Sequence, residues 1–243
     1  MAGPSPRREG AGPASVGAAP RGGHSPIPNR AVLLKASENH IRVIAALPTM
    51  ATMTRIARGN VPAGWYHVTH RTAGQIAMFR DDVDRTDFCR RLARIIEAQR
   101  WICHAFCLMP THYHLLLEVG ANTLQPGMQY LNGTYAQNFN RRHGRWGHLR
   151  GDRYSAKPVE SDGHRLAAFR YIALNPVVAG LCESPCDWPW GSYRDCVGLD
   201  NRFTFVTHDV IREYFGTDPE RAIQLLRELV EDLEPGSVPR RAA

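Results

Sequence analysis

Four side chains in two short stretches could do chemistry together. In "MPTHYHLLLE" (Met109 to Glu118), His112 and His114 are two residues apart at the start of an apolar run. An extended strand turns successive side chains to opposite faces, so the two imidazoles share one face, and Tyr113, Leu115 and Leu117 share the other. In "GHRLAAFRYIALN" (Gly163 to Asn175), a helical wheel at roughly 100° per residue puts Leu166, Phe169 and Ala173 on one stripe. Tyr171 falls on the other side with His164, Ala168 and Asn175, away from where a purely packing tyrosine would sit. Neutral imidazoles and an amide oxygen can hold a divalent ion while leaving positions open for phosphate oxygens. A phenol suits attack on phosphorus when the bond must later be remade, because phenolate is a better leaving group than an alkoxide. It needs activation: an unperturbed tyrosine is about one part in a thousand phenolate at neutral pH, a penalty of roughly 4 kcal/mol. Each motif alone also fits structural histidines donating to carbonyls, or a packed tyrosine.

The elements that must position these groups are legible from Trp65 onward. "WYHVTHR" reads as a strand, and Asp81 to Arg100 as a helix with acids at its positive end and Phe88, Leu92, Ile95 and Ile96 at helical spacing. "WICHAFCLM" and "HYHLLLEV" read as two strands of a hairpin joined by Pro110 and Thr111. A helix over Leu124 to Arg142 follows, weakened by Gly127 and Gly133, and then an extended piece from Tyr154. Ser161 caps the next helix, which Pro176 is expected to stop at Asn175. Strand, helix, strand, strand, helix, strand predicts an α+β ferredoxin-like sandwich, an antiparallel sheet with helices on one face, followed by a C-terminal helical extension. Within that extension, Asp218 to Leu233 reads as a capped amphipathic helix with Pro219 at its first position.

Residues 1–52 are poor in groups to bury and carry net +4 of the chain's +7. They are expected to be a disordered tail, or to precede a true start at Met50 or Met53. The remaining division is a catalytic domain over 53–200 and an extension over 201–243. Local charge is more telling than net charge. Arg141, Arg142, Arg145, Arg150, Arg153 and Lys157 stand against one acid, Asp152, with Trp146 and Tyr154 interleaved. That pattern suits a nucleic-acid backbone with bases to stack, and equally a solvated basic loop. The six cysteines lack common zinc spacing, no stretch approaches the roughly 18 apolar residues of a membrane span, and a cytoplasmic location is expected.

Taken together, "WYHVTHR", "CLMPTHYHLLLE", "LNGTYAQNFNRRHGRWGHLRGDRY", "RYIALNPVVAGL" and "WPWGSYRDCVG" resemble the REP-associated tyrosine transposases, single-tyrosine members of the HUH endonuclease superfamily with an IS200-like transposase domain. The resemblance covers most of Trp65 to Gly198. It implies that His112 and His114 bind the catalytic Mg²⁺ or Mn²⁺, that Asn175 is the third ligand, and that Tyr171 is the nucleophile, with Tyr113 the apolar middle of its motif. It implies cleavage of single-stranded DNA near hairpin-forming palindromes through a 5′-phosphotyrosine link, without ATP. The N-terminal extension has no family counterpart. Arg150-Gly151-Asp152 stands where relatives tend to have an aromatic, a glutamine and a glycine, which bears on DNA preference. A catalytically silent hairpin-binding protein and a hydrolase of small phosphoesters are the alternatives, and a monomer is expected with a dimer left open.

Overall fold

The computed structural model describes residues 61–72, 76–149 and 153–231. The expectation for residues 1–52 lies outside them. In chain order the elements are β1 (Gly64–Arg71), α1 (Asp82–Gln99), β2 (Ile102–Met109), β3 (His112–Val119), α2 (Leu124–Arg142), β4 (Ser155–Pro158), α3 (Asp162–Val178), a 3₁₀ turn (Pro185–Asp187), α4 (Tyr193–Cys196), α5 (Asp209–Glu213) and α6 (Pro219–Glu231). The strands form one antiparallel sheet in the order β2-β3-β1-β4. This order, with these connections, is the ferredoxin-like sandwich. Pro158 is tolerated because β4 is an edge strand, where a missing N–H breaks no inner ladder.

Alternation divides the sheet into two apolar faces. Tyr66, Val68, Phe106, Leu108, Leu115 and Leu117 pack under α1 and α2 against Phe88, Leu92, Leu131 and Tyr135. Trp65, Cys107, Met109 and Leu116 point the other way and pack against Phe169 and Ile172 of α3 and Leu226 and Leu229 of α6. α1 and α2 lie on one face, as the ferredoxin-like sandwich requires, and α3 and α6 form a second layer on the other. The cause is visible in the β2–β3 hairpin. β2 and β3 are buried at nearly every position, so both faces need cover, at about 25 cal/mol for each Å² of apolar surface removed from water.

One expectation is corrected by local physics. α3 does not stop at Asn175 but runs through Pro176 to Val178. The proline forfeits a single backbone bond, to the Ile172 carbonyl. The helix ends instead at Gly180, in the left-handed conformation at φ 68°, where Gly180 donates to the Val177 carbonyl and Leu181 to the Pro176 carbonyl, a Schellman cap. α2 is continuous through both of its glycines. Gly127 is a point of close approach, since a Cβ there would lie 2.3 Å from the Trp101 ring.

The outer edge of β2 is also covered. Leu108 donates to the Trp190 carbonyl and Ser192 to the Phe106 carbonyl, while Thr207 donates to the Cys103 carbonyl. The stretch "WPWGSY" thus belongs to the sheet's margin. α3 in turn is tied to the C-terminal segment by Arg170 Nε donating to the Leu229 carbonyl at 2.8 Å, and by Arg165 donating to the Tyr214 hydroxyl at 3.0 Å. Among the described residues no helix is long and apolar enough to cross a membrane.

Candidate nucleophile and metal-ligand site

The register of β1 on β3 sets Thr69 opposite His114, Arg71 opposite His112 and His67 opposite Leu116. By alternation His67, His112 and His114 all lie on the face covered by α3. His114 is 5% exposed. Its Nδ1 is 3.0 Å from His67 Nε2, and the two rings stack with centroids 5.2 Å apart. The His112 ring meets His114 edge-on at 5.0 Å, with His112 Nδ1 3.2 Å from the Thr111 hydroxyl.

The Tyr171 ring reaches down from α3 onto this group. Its centroid lies 5.7 Å from His67 and 5.5 Å from His114, nearly perpendicular to both, and the residue is 43% exposed. Asn175 joins through Tyr171, donating Nδ2 to its carbonyl at 2.7 Å, so Oδ1 is the end of the amide left to face outward. The structure therefore brings His112, His114 and Tyr171 together. It adds His67, which sequence reasoning missed. "WYHVTHR" offers His67 and His70 on opposite faces of one strand, and which of them meets Tyr171 depends on a register set by distant residues.

Burial dominates the electrostatics here. It pushes the His67 imidazole from 6.5 down to about 3, with the positive charges of Lys157 and His164 adding in the same direction. His114 is held well below the usual histidine value, first by burial and then by His67, His112 and Arg71. Both rings are thus neutral at neutral pH, the form that can donate a lone pair to a metal. His114 Nε2 is buried and has no hydrogen-bond partner among the described residues, which is costly unless something outside the chain meets it. No three His, Cys, Asp or Glu side chains are grouped to hold a metal among the described residues. The neutral donors on this face are the His112 and His114 imidazoles, with the Asn175 amide hydrogen-bonded to the Tyr171 carbonyl beside them.

The side chains of the basic segment differ in their surroundings. Arg141 and Arg153 are exposed, Arg145 is half-buried, and Trp146, 95% exposed, stands free of the fold. Arg142 ion-pairs with Asp81 at 2.7 Å and with buried Asp84, tying the end of α2 to the start of α1. Tyr154 is half-buried against the core under α1 and α2. Lys157 stands opposite His67 in the β1–β4 register, at the margin of the histidine face. Arg150 lies outside the described residues.

Residues 60–175, just under half of the chain, match the family described as transposase IS200 like. The segment contains all four strands and ends on Asn175, so it holds His67, His112, His114, Tyr171 and Asn175 together. Among solved structures, the chain is similar to a REP-associated tyrosine transposase bound to a REP hairpin, at 16% identity over 61% of this chain and 89% of that one, with a TM-score of 0.49. It is also similar to a crystallised Deinococcus radiodurans R1 protein provisionally described as a transposase, at 23% identity over 49% of this chain and 95% of that one, with a TM-score of 0.32. No curated protein matches the chain.

Proposed function

We propose that the chain is a metal-dependent endonuclease and strand-transfer enzyme that cuts single-stranded DNA near short palindromic hairpins and rejoins it through a tyrosine-linked intermediate. The observation that carries this is the half-exposed Tyr171 ring set against His67 and His114, together with a buried His114 nitrogen that has no hydrogen-bond partner among the described residues. The match to the IS200-like transposase family over the segment that holds these residues supports it. A divalent ion held by His112, His114 and Asn175 would withdraw charge from the scissile phosphate as negative charge develops there.

Tyr171 supplies the nucleophile. Its hydroxyl oxygen bonds to phosphorus as the bond from phosphorus to the 3′-oxygen breaks; the phenolic proton is lost to solvent and the 3′-oxygen takes up a proton, leaving a free 3′-hydroxyl. A 3′-hydroxyl attacking the phosphotyrosine reverses these changes and restores the strand, so no ATP is consumed. His67 and His114 confine the phenol ring from the sheet side, while its exposed edge leaves room for DNA. Arg141, Arg145, Trp146, Arg153 and Lys157 are the candidates to hold the DNA, Trp146 as a stacking platform. Arg142 and Tyr154 serve the fold instead. The catalytic unit is residues 53–200, and the segment from 201 braces α3 from behind.

The test is incubation of the full chain with labelled hairpin DNA and Mn²⁺, read on a denaturing gel. A covalent protein–DNA band that disappears in Tyr171→Phe supports the proposal. Free DNA alone, with binding retained, identifies a silent hairpin-binding protein. Turnover of small phosphoesters without an adduct identifies a hydrolase.

A further inference from the structure

We infer that His67 is a positioning residue that accepts a hydrogen bond from His114 and thereby fixes the His114 tautomer able to ligate a metal, an inference that rests on the metal-dependent function proposed above. A hydrogen bond between two neutral imidazoles has one donor and one acceptor. If His67 donated from Nε2, the only proton of the His114 ring would sit on its own Nε2. That atom is buried without an acceptor among the described residues, and its lone pair would be lost to a ligand. If His114 donates from Nδ1, its buried Nε2 keeps a lone pair free for a ligand. The contact is well formed for this purpose at 3.0 Å, and His67 and His114 are 4% and 5% exposed, so water does not compete for either nitrogen.

The placement of His67 also explains why this task needs its own strand. β1 lies between β3 and β4, and His67 reaches across the β1–β3 ladder to His114 rather than to its register partner Leu116. His67 touches the Tyr171 ring as well, so the group that orients the ligand and the one that confines the nucleophile are the same side chain. Metal-ligating histidines are commonly held by a partner on the other ring nitrogen, and loss of such a partner typically costs 10–100-fold in metal affinity.

The experiment uses the full chain without DNA. Mn²⁺ binding is measured by titration calorimetry and by the loss of free-ion EPR signal, in wild type, His67→Phe, His67→Gln, His67→Asn and His114→Ala. Glutamine can place an acceptor oxygen near the position of Nε2, whereas asparagine falls short and phenylalanine has no acceptor. The expected result is affinity reduced about 10–100-fold in His67→Phe and His67→Asn, with His67→Gln within a few-fold of wild type. In parallel, ¹⁵N spectra of metal-free wild type, assigned by the signals missing in His114→Ala, should show the His114 proton on Nδ1. Should the phenylalanine variant not fold, the glutamine–asparagine pair and the wild-type spectrum still decide. Equal Mn²⁺ affinity in all His67 variants, or a His114 proton on Nε2, overturns the role of His67. Wild-type binding no stronger than that of His114→Ala instead overturns the metal site itself.

Discussion

The two faces of the β1–β3 pair each bury a histidine beside a tyrosine, and they differ in what is left over. Under α2, His70 Nδ1 lies 3.1 Å from Asn132 Oδ1, and the Tyr113 hydroxyl donates to the same oxygen at 2.8 Å. No side-chain polar atom of these three is buried and unpaired among the described residues. Under α3, His67 and His114 pair with each other, one nitrogen of His114 stays unmatched, and Tyr171 opens to solvent. Residue types alone would not separate the two. A closed network stabilises and specifies a core, whereas an open one has a place for something the chain does not contain.

The strongest test exchanges the two tyrosines. Tyr171→Phe is expected to abolish the covalent adduct on a denaturing gel while hairpin binding stays within a few-fold of wild type, and Tyr113→Phe to leave the adduct intact. The opposite pattern would reverse the two faces. Next in size, His112→Ala and His114→Ala should remove metal-dependent cleavage without rescue. Asn175→Ala should recover in part at higher Mn²⁺, because water can replace one oxygen ligand; undiminished cleavage in excess chelator would remove the metal from the scheme. On the closed face, Asn132→Leu removes the acceptor that His70 and Tyr113 share. It should lower stability by about 2–4 kcal/mol in urea unfolding, with adduct formation per folded molecule unchanged.

The pH dependence has a definite sign. The His67 imidazole is held down to about 3 in the fold, so below pH 6.5 the unfolded chain takes up a proton that the folded chain refuses. Stability that is complete above pH 6.5 should therefore fall with acid toward pH 3, by at most about 1.4 kcal/mol per pH unit for this group. His67→Phe should make the decline shallower in denaturant titrations across that window. The smallest effect is that of Tyr113→Phe on stability, about 1 kcal/mol for one hydrogen bond, since Asn132 Oδ1 keeps its contact with His70.

Much of this arrangement could be read from the chain, for reasons that differ by residue. The hairpin at Pro110-Thr111, the bounds of α1 and α2, and the shared face of His112 and His114 are local consequences of period and turn chemistry, which act over a few residues. The end of α3 was also written locally, in Gly180, but Pro176 was the louder signal and the misleading one. The second helical layer and the role of His67 were not legible. Both depend on which face of β1 meets which partner, and alternation defines two faces without saying what covers either. Arg142 illustrates the same limit: its place in a basic run says nothing of Asp81 and Asp84, some sixty residues away in sequence and adjacent in space.

The hydrogen bonds that Trp190, Ser192 and Thr207 make along β2 bear on how copies of this chain can associate. A bare outer strand is a template for another strand, and two copies could then share one continuous sheet. Here that side is already occupied by the chain's own coil. The opposite margin is β4, four residues long and ending in Pro158, which has no N–H to offer. Growth of the sheet is thus blocked on one side and curtailed on the other. Sheet extension between copies is therefore disfavoured, and the sheet, with the histidines it carries, stays the property of a single chain.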